Sequence, residues 1–140
     1  MAPSYVDLLD MASELGVWVD VDDAGWLEGD AGGWFPDYDL ILLAPDLHPV
    51  EQRCTLAHEL GHATHGHHAG TSGWLHARQE RQADQFAATL LVTPLEYELA
   101  ERLYGHSPSL LARELDVTTN IVTTWQRLNA CHTIEQRREA

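Results

Sequence analysis

The sequence of residues 58–62, His58-Glu59-Leu60-Gly61-His62, lies in a helical pattern that extends from about residue 47 to residue 64. Positions i and i+4 of a helix project from the same side, so both imidazoles can reach one tetrahedral Zn²⁺ at about 2.0–2.1 Å. Glu59 lies next to that face and is placed to take a proton from an attacking water, the general-base role of this motif. The five residues therefore predict a zinc site with a neighbouring carboxylate.

A catalytic zinc site of this kind needs a third protein ligand, and the sequence offers two candidates. The first is His68, which has the spacing of the extended metzincin pattern. That pattern also requires Gly where this chain has His65, and it requires a methionine turn downstream. Both methionines, Met1 and Met11, precede the motif, so the metzincin interpretation fails on two counts.

The second candidate lies in Glu80-Arg81-Gln82-Ala83-Asp84, on a helix predicted at about residues 74–91. Glu80 and Asp84 are again at positions i and i+4. One carboxylate could bind the metal while the other, one turn along, accepts the outer N–H of a ligand histidine. One helix face would then supply both a metal ligand and the group that orients another ligand.

The sequence before the motif predicts a helix and then a small sheet. Ser4 can cap an amphipathic helix that ends near Gly16. Alternating valines in residues 17–21 indicate a first strand, Trp26–Glu28 a short second strand, and Leu40–Leu43 a buried third strand. We predict an α+β fold with an N-terminal helix, a small, mostly antiparallel three-stranded sheet, the motif helix packed on the Glu80 helix, and short C-terminal helices.

Two linked motifs in this chain resemble the ImmA/IrrE family of small gluzincin-like metallopeptidases. They are residues 58–62 and the run Glu80-x-x-Ala83-Asp84-x-Phe86-Ala87-Ala88-x-Leu90-Leu91-x-x-Pro94, preceded by the 40–43 strand and by Arg53-x-Thr55-Leu56-Ala57. The resemblance covers about residues 16–94.

The resemblance implies that His58, His62 and Glu80 bind one zinc ion per chain and that Glu59 is catalytic. Asp84 is then the residue that orients a ligand histidine. Members of the family cleave helix-turn-helix transcriptional repressors and so relieve repression. This chain departs from the family pattern at Gly66, where a histidine is usual, and at Leu91-Val92-Thr93-Pro94, where Leu-Leu-Met-Pro is usual.

Length and composition narrow the class of protein further. The 140 residues support one domain, with residues 16–94 as a catalytic core and residues 95–140 as a C-terminal helical segment. No apolar run approaches the roughly 18 residues of a membrane span, and the N-terminus lacks the features of a secretory signal. Cys54 and Cys131 are too few for a disulfide framework. We therefore expect a cytoplasmic protein.

The net charge of the chain indicates which class of macromolecule it can bind. The chain carries 22 acidic residues against 8 arginines, a formal charge of −14, which repels phosphate backbones. Residues 111–128 resemble a helix-turn-helix, but Asp116 stands where its turn usually has Gly, and Arg127 is the only cation of its second helix. We expect two helices packed on the catalytic part, a protein partner, and no direct binding of nucleic acid.

Other side chains have simpler interpretations. Cys54 is expected to be a small packing residue, because a thiolate ligand would close the open metal position that catalysis requires. The tryptophans of the sheet region, Trp18, Trp26 and Trp34, are expected to pack. The remaining histidines near the motif are expected to be solvated loop residues, with lining of the cleft as the alternative: His65, His67, His68 and His76.

The sequence is compatible with three hypotheses about the function. The favoured one is a zinc-dependent endopeptidase that cuts a protein substrate, expected to be a helix-turn-helix repressor. The second is a non-catalytic, zinc-stabilised anti-repressor whose C-terminal helices bind the partner. The third, a DNA-binding regulator, is disfavoured by the charge. Three protein ligands plus an uncoordinated Glu59 leave one metal position open, which favours the enzyme.

Overall fold

The computed structural model describes residues 1–68 and 70–139, with the side chains of residues 1–68 and 70–130. The elements, numbered in chain order, are α1 Tyr5–Glu14, β1 Trp18–Val21, β2 Gly32–Phe35, β3 Leu40–Leu43, α2 Pro49–Thr64, α3 Gly73–Leu91, α4 Pro94–Tyr104, α5 Pro108–Leu115 and α6 Thr119–Glu139. The predicted α+β fold is confirmed. None of the helices in the described part of the chain is long and apolar enough to cross a membrane.

The sheet has the strand order β1-β3-β2, with the apolar strand β3 in the centre. β2 pairs with β3 antiparallel, with Gly32 opposite Leu43, whereas β1 pairs with β3 in parallel, with Trp18 opposite Leu40. Ile41, Leu42 and Leu43 are buried, as predicted for the last strand. β2 is therefore an edge strand of the sheet.

The second strand does not lie where the sequence analysis placed it. Trp26–Glu28 belongs to a turn, because the Asp22 carboxylate accepts hydrogen bonds from the backbone N–H groups of Trp26 and Leu27, both at 2.9 Å. Glu28 then has a φ of +52°, which ends any extended run. The strand forms instead at Gly32–Phe35.

The N-terminal helix forms as predicted and covers one side of α2. Ser4 and Asp7 make a reciprocal capping box, and Leu8 and Ala12 are buried in the common core. Arg53 on α2 links the segment before α1 to the turn between α5 and α6. Its Nε donates to the Pro3 carbonyl and its Nη1 to the carbonyl of Asp116, both at 2.8 Å.

The contact between α2 and α3 is close because Gly61 lies at it. A Cβ at this position would be 2.9 Å from the Ala83 Cα and 3.1 Å from the Ala83 carbonyl oxygen. These are backbone atoms, which cannot rotate away from the added Cβ as the end of a side chain could. The glycine inside the motif and the alanine between Glu80 and Asp84 thus let the two helices approach at the point where their polar residues meet.

The C-terminal helices share the core of the N-terminal half. Leu111 on α5 and Val122 and Trp125 on α6 belong to the same buried cluster as Leu8, Ile41 and other residues of α1, β3, α2 and α3. Trp125 stacks on Tyr97 of α4, with ring centroids 4.0 Å apart. The turn between α5 and α6 contains Asp116 at a φ of +53°, so an aspartate occupies the left-handed position where glycine was expected.

Candidate metal centre

Three polar side chains from α2 and α3 converge on one point. His58 and His62, one turn apart on α2, hold their Nε2 atoms 3.1 Å from each other. Glu80 on α3 reaches them with its two oxygens, at 3.2 Å from His58 Nε2 and 3.2 Å from His62 Nε2. The structure thus brings together the three residues predicted as ligands.

The dimensions of this group suit a metal ion. Two ligand atoms about 2.05 Å from one ion at the tetrahedral angle lie about 3.3 Å apart, close to the separations seen here. Among the described residues, this is the group of histidine, cysteine and acidic side chains that could hold an ion, with its ligand atoms all within 4.8 Å of one another. Two imidazole nitrogens and a carboxylate oxygen are a donor set typical of zinc.

Asp84 holds the other side of the His58 ring. Its Oδ1 lies 2.9 Å from His58 Nδ1, so the carboxylate accepts the outer N–H as the sequence analysis proposed. Burial opposes the charged form of His58, but the hydrogen bonds to Asp84 and Glu80 outweigh it and raise its pKa to about 10. Hydrogen bonds from His58 and His62 hold the pKa of Glu80 well below its ordinary value. The site strongly favours positive charge between these side chains.

Glu59 lies beside this group without belonging to it. Its side chain is buried, 6% exposed, and burial raises the pKa of its carboxyl above the ordinary value. It lines a cavity of about 500 Å³ together with His58, Glu80 and residues of the β1–β2 connection. A carboxyl with a raised pKa next to a cationic centre has the properties of a general base or acid.

Strand β2 forms one wall close to Glu59. A Cβ on Gly32 would lie 2.5 Å from Thr55 Cγ2 and 3.3 Å from Glu59 Cγ, so only glycine lets this edge strand approach α2 so closely. A second wall comes from the residue before α6 and from the start of that helix, where Thr118, Asn120 and Ile121 line the same cavity. The cleft therefore has contributions from both halves of the chain.

His67 is buried, contrary to the expectation of a solvated loop side chain. Its Nδ1 lies 2.9 Å from His62 Nδ1, and its Nε2 lies 2.8 Å from Gln82 Oε1. The sequence signal was Gly66, which takes a φ of +64° at the end of α2 and turns the chain back. His67 N–H then donates to the His62 carbonyl at 3.0 Å, which places the ring against His62.

The other candidates are placed as follows. His65 and His68 are exposed, and neither belongs to the metal-binding group found in the described residues. His76 is exposed at the rim of the cavity that contains Glu59. Cys54 is a buried packing residue whose pKa is raised by burial. Trp34 packs on the core, and its indole N–H also donates to the His67 carbonyl at 3.0 Å.

The fold and the site define a class: a small α+β domain in which two neighbouring helices supply a histidine pair, a glutamate and an adjacent buried carboxyl. The chain belongs to the peptidase M78 family, described as the IrrE N-terminal-like domain, whose sequence model matches residues 12–124. The resemblance to ImmA/IrrE proteins is thereby confirmed. The family supports a metallopeptidase-like or IrrE-type regulatory function.

A solved structure has a similar fold. It is a Mycobacterium tuberculosis transcriptional regulator, superimposed with a TM-score of 0.63 at 20% sequence identity. The match covers 86% of this chain and 40% of the regulator, so the chain spans less than half of the length of that protein. At this identity the likeness shows the shared fold. Among curated proteins, no sequence matches the chain.

Proposed function

We propose that this chain is a zinc-dependent endopeptidase that hydrolyses a peptide bond in a protein substrate. The observation that carries the proposal is the buried Glu59 next to a triangle of three ligand atoms that faces a cavity. Three protein ligands leave a fourth tetrahedral position open, as catalytic rather than structural zinc sites do. We propose one ion per chain, because the described residues contain one such group.

Each residue has a definite role in this proposal. His58, His62 and Glu80 would hold the ion, which when bound supplies Lewis acidity to the scissile carbonyl. Glu59 would take a proton from the attacking water and return it to the leaving amine. Asp84 would fix the orientation of His58 through the 2.9 Å hydrogen bond to its Nδ1.

The proposed substrate is a helix-turn-helix transcriptional repressor, whose cleavage would relieve repression. The family assignment supports this choice, since the IrrE-type relatives are regulatory. The fold is shared with a protein that is named a transcriptional regulator. The net charge of −14 also favours a protein partner over direct binding to DNA.

We further propose that residues 1–140 act as one minimal metallopeptidase domain. Residues 16–94 would be its catalytic core and residues 95–140 its C-terminal helical segment. The segment contributes to the cleft, because Asn120 lines the cavity and its Nδ2 lies 3.5 Å from Asp84 Oδ1. Substrate recognition by the start of α6 would follow from this position.

The test is cleavage of a candidate repressor in vitro with added Zn²⁺, followed by mass spectrometry of the fragments, with a chelator as the negative control. Glu59→Gln is expected to keep its zinc and its thermal stability, because side-chain size and helix propensity hardly change. Its cleavage rate should fall by about 10²–10⁴-fold, the usual contribution of a general base. The exposed substitution Glu114→Gln on α5 is the matched control and should cut normally.

Two outcomes would overturn the proposal. Cleavage by Glu59→Gln at the wild-type rate would remove Glu59 from the chemistry. Relief of repression in cells by wild type and Glu59→Gln alike, with intact repressor in both, would favour the zinc-stabilised anti-repressor instead.

A further inference from the structure

The two histidines of the metal-binding group have different partners on their outer ring nitrogens. His58 Nδ1 faces the carboxylate of Asp84 at 2.9 Å. His62 Nδ1 faces the Nδ1 of another histidine, His67, also at 2.9 Å. His67 in turn places its Nε2 2.8 Å from Gln82 Oε1 on α3. The His58 ring is thus held by the carboxylate of Asp84, whereas the His62 ring is held by two uncharged side chains in series, His67 and Gln82.

Only one arrangement of protons satisfies this chain when His62 uses Nε2 as a ligand atom. Nε2 must then be free of a proton, so His62 carries its proton on Nδ1 and donates it to His67. His67 must accept at Nδ1, which leaves its own proton on Nε2. That proton is donated to the Gln82 carbonyl oxygen, which is an obligate acceptor.

We propose that His67 and Gln82 are positioning residues that fix the tautomer and orientation of His62 for metal binding. The inference rests on the proposed metal site. Gln82 acts through His67, and neither residue lines the cavity that contains Glu59.

The fold holds His67 in place independently of this hydrogen bond. Its backbone N–H donates to the His62 carbonyl at 3.0 Å, and its carbonyl accepts from the Trp34 indole at 3.0 Å. The His67 ring is buried, 8% exposed, between the rings of His62 and His65, whose centroids lie 5.1 and 5.3 Å away. A ring fixed in this way can hold His62 at little further cost in entropy.

An uncharged partner for His62 also suits the charge of the centre. Glu59, Glu80 and Asp84 already place three carboxyl groups around the histidine pair. A further carboxylate at position 67 would increase the negative charge and lower the Lewis acidity of a bound ion. A histidine accepting from His62 and donating to an amide orients the ligand without adding charge.

The experiment measures Zn²⁺ affinity by competition with a chromophoric chelator, in the absence of any peptide substrate. His67→Ala is expected to weaken Zn²⁺ binding by about 10–100-fold, the usual effect of losing such a partner. Gln82→Ala should weaken it less, and the double variant should match His67→Ala because Gln82 acts through His67. His67→Gln, which restores an acceptor oxygen, should recover part of the affinity.

His68→Ala, a change at the exposed neighbouring histidine, is the matched control and should bind Zn²⁺ as wild type does. Nitrogen-15 NMR of the imidazoles in the zinc-loaded wild type provides a second measurement. It reports which ring nitrogen of His67 carries the proton, and a purely structural role of His67 would not fix that position. His67 should carry its proton on Nε2 and none on Nδ1. Thermal unfolding of the metal-free variants identifies any that fail to fold.

The outcomes separate this inference from the proposed function. If wild type binds Zn²⁺ and His67→Ala binds it equally well, or if His67 carries its proton on Nδ1, the inference is wrong while the metallopeptidase proposal stands. If wild type binds no Zn²⁺, both are wrong.

Discussion

At the scale of the residue, the chemistry of this chain depends on what each carboxyl group faces. Glu80 faces two imidazole nitrogens at 3.2 Å and has a lowered pKa, so it is an anion ready to bind a cation. Glu59 is buried beside the same histidines and has a raised pKa, so it is suited to exchange a proton. The pKa values of two glutamates in one cleft therefore shift in opposite directions, because their burial and hydrogen bonding differ.

The substitution Glu80→Ala tests the ligand role directly. Removing one of three protein ligands should reduce zinc content sharply, as measured by elemental analysis of a desalted preparation. A ligand present at 100 times its dissociation constant adds about 2.7 kcal/mol to the free energy of unfolding, so zinc should raise the melting temperature of wild type and not of Glu80→Ala. Loss of zinc in His68→Ala, with retention in Glu80→Ala, would instead make His68 the third ligand.

At the scale of the element, the site depends on how closely α2 and α3 approach. The histidine pair on α2 and Glu80 on α3 meet only because Gly61 leaves room for the backbone of Ala83. Sequence patterns predicted both helices to within two residues at each end, since each has apolar residues at helical spacing and clear end signals. The spacing alone left open whether Glu80 or Asp84 faces the histidine pair, and the resemblance to the family pointed to Glu80, which is the carboxylate that lies 3.2 Å from both Nε2 atoms.

Other features of the site could not be predicted from the sequence. Strand β2 is Gly-Gly-Trp-Phe, which lacks the alternation of a strand, and its position is set by contact of Gly32 with α2. The sequence of Trp26–Glu28 is more typical of a strand than that of β2. The residues form a turn because the backbone N–H groups of Trp26 and Leu27 donate to the Asp22 carboxylate. Gly66 indicates that the chain turns after α2, but the contact of His67 with Gln82, on another helix, has no signal in the sequence.

The substitution Gly61→Ala tests the helix contact. The added Cβ would meet the Ala83 Cα at 2.9 Å, and backbone atoms can move away only by separating the helices. We expect the overpacking to lower the free energy of unfolding by about 1–3 kcal/mol. The higher helix propensity of alanine would offset about 1 kcal/mol of this loss. Zinc affinity should fall as well, because the ligands move apart.

Chemical denaturation and chelator competition measure the two effects. Thr64→Ala, at an exposed position on the same helix, is the control and should change neither. A Gly61→Ala variant that is more stable than wild type and binds zinc equally well would show that the close contact is not required.

At the scale of the whole molecule, the helices after residue 94 are joined to the metal centre by shared packing. Their buried residues belong to the core that includes α1, β3 and α2, and Arg53 links α2 to the α5–α6 turn. The start of α6 lines the cleft next to Asp84. The apolar positions of the helix-turn-helix pattern in α5 and α6 face this core. In this chain the pattern therefore serves to pack the two helices against the rest of the molecule.

The substitution Trp125→Ala tests whether the chain is one cooperative unit. Trp125 is 9% exposed and stacks on Tyr97, so its truncation should lower the free energy of unfolding by about 3–5 kcal/mol. In a single domain, zinc binding between α2 and α3 and Trp125 packing on α6 stabilise the same folded state. Calorimetry should therefore show one transition, which zinc raises and Trp125→Ala lowers. Two transitions, with only one responding to zinc and only the other to Trp125→Ala, would show that the C-terminal helices unfold separately from the metal centre.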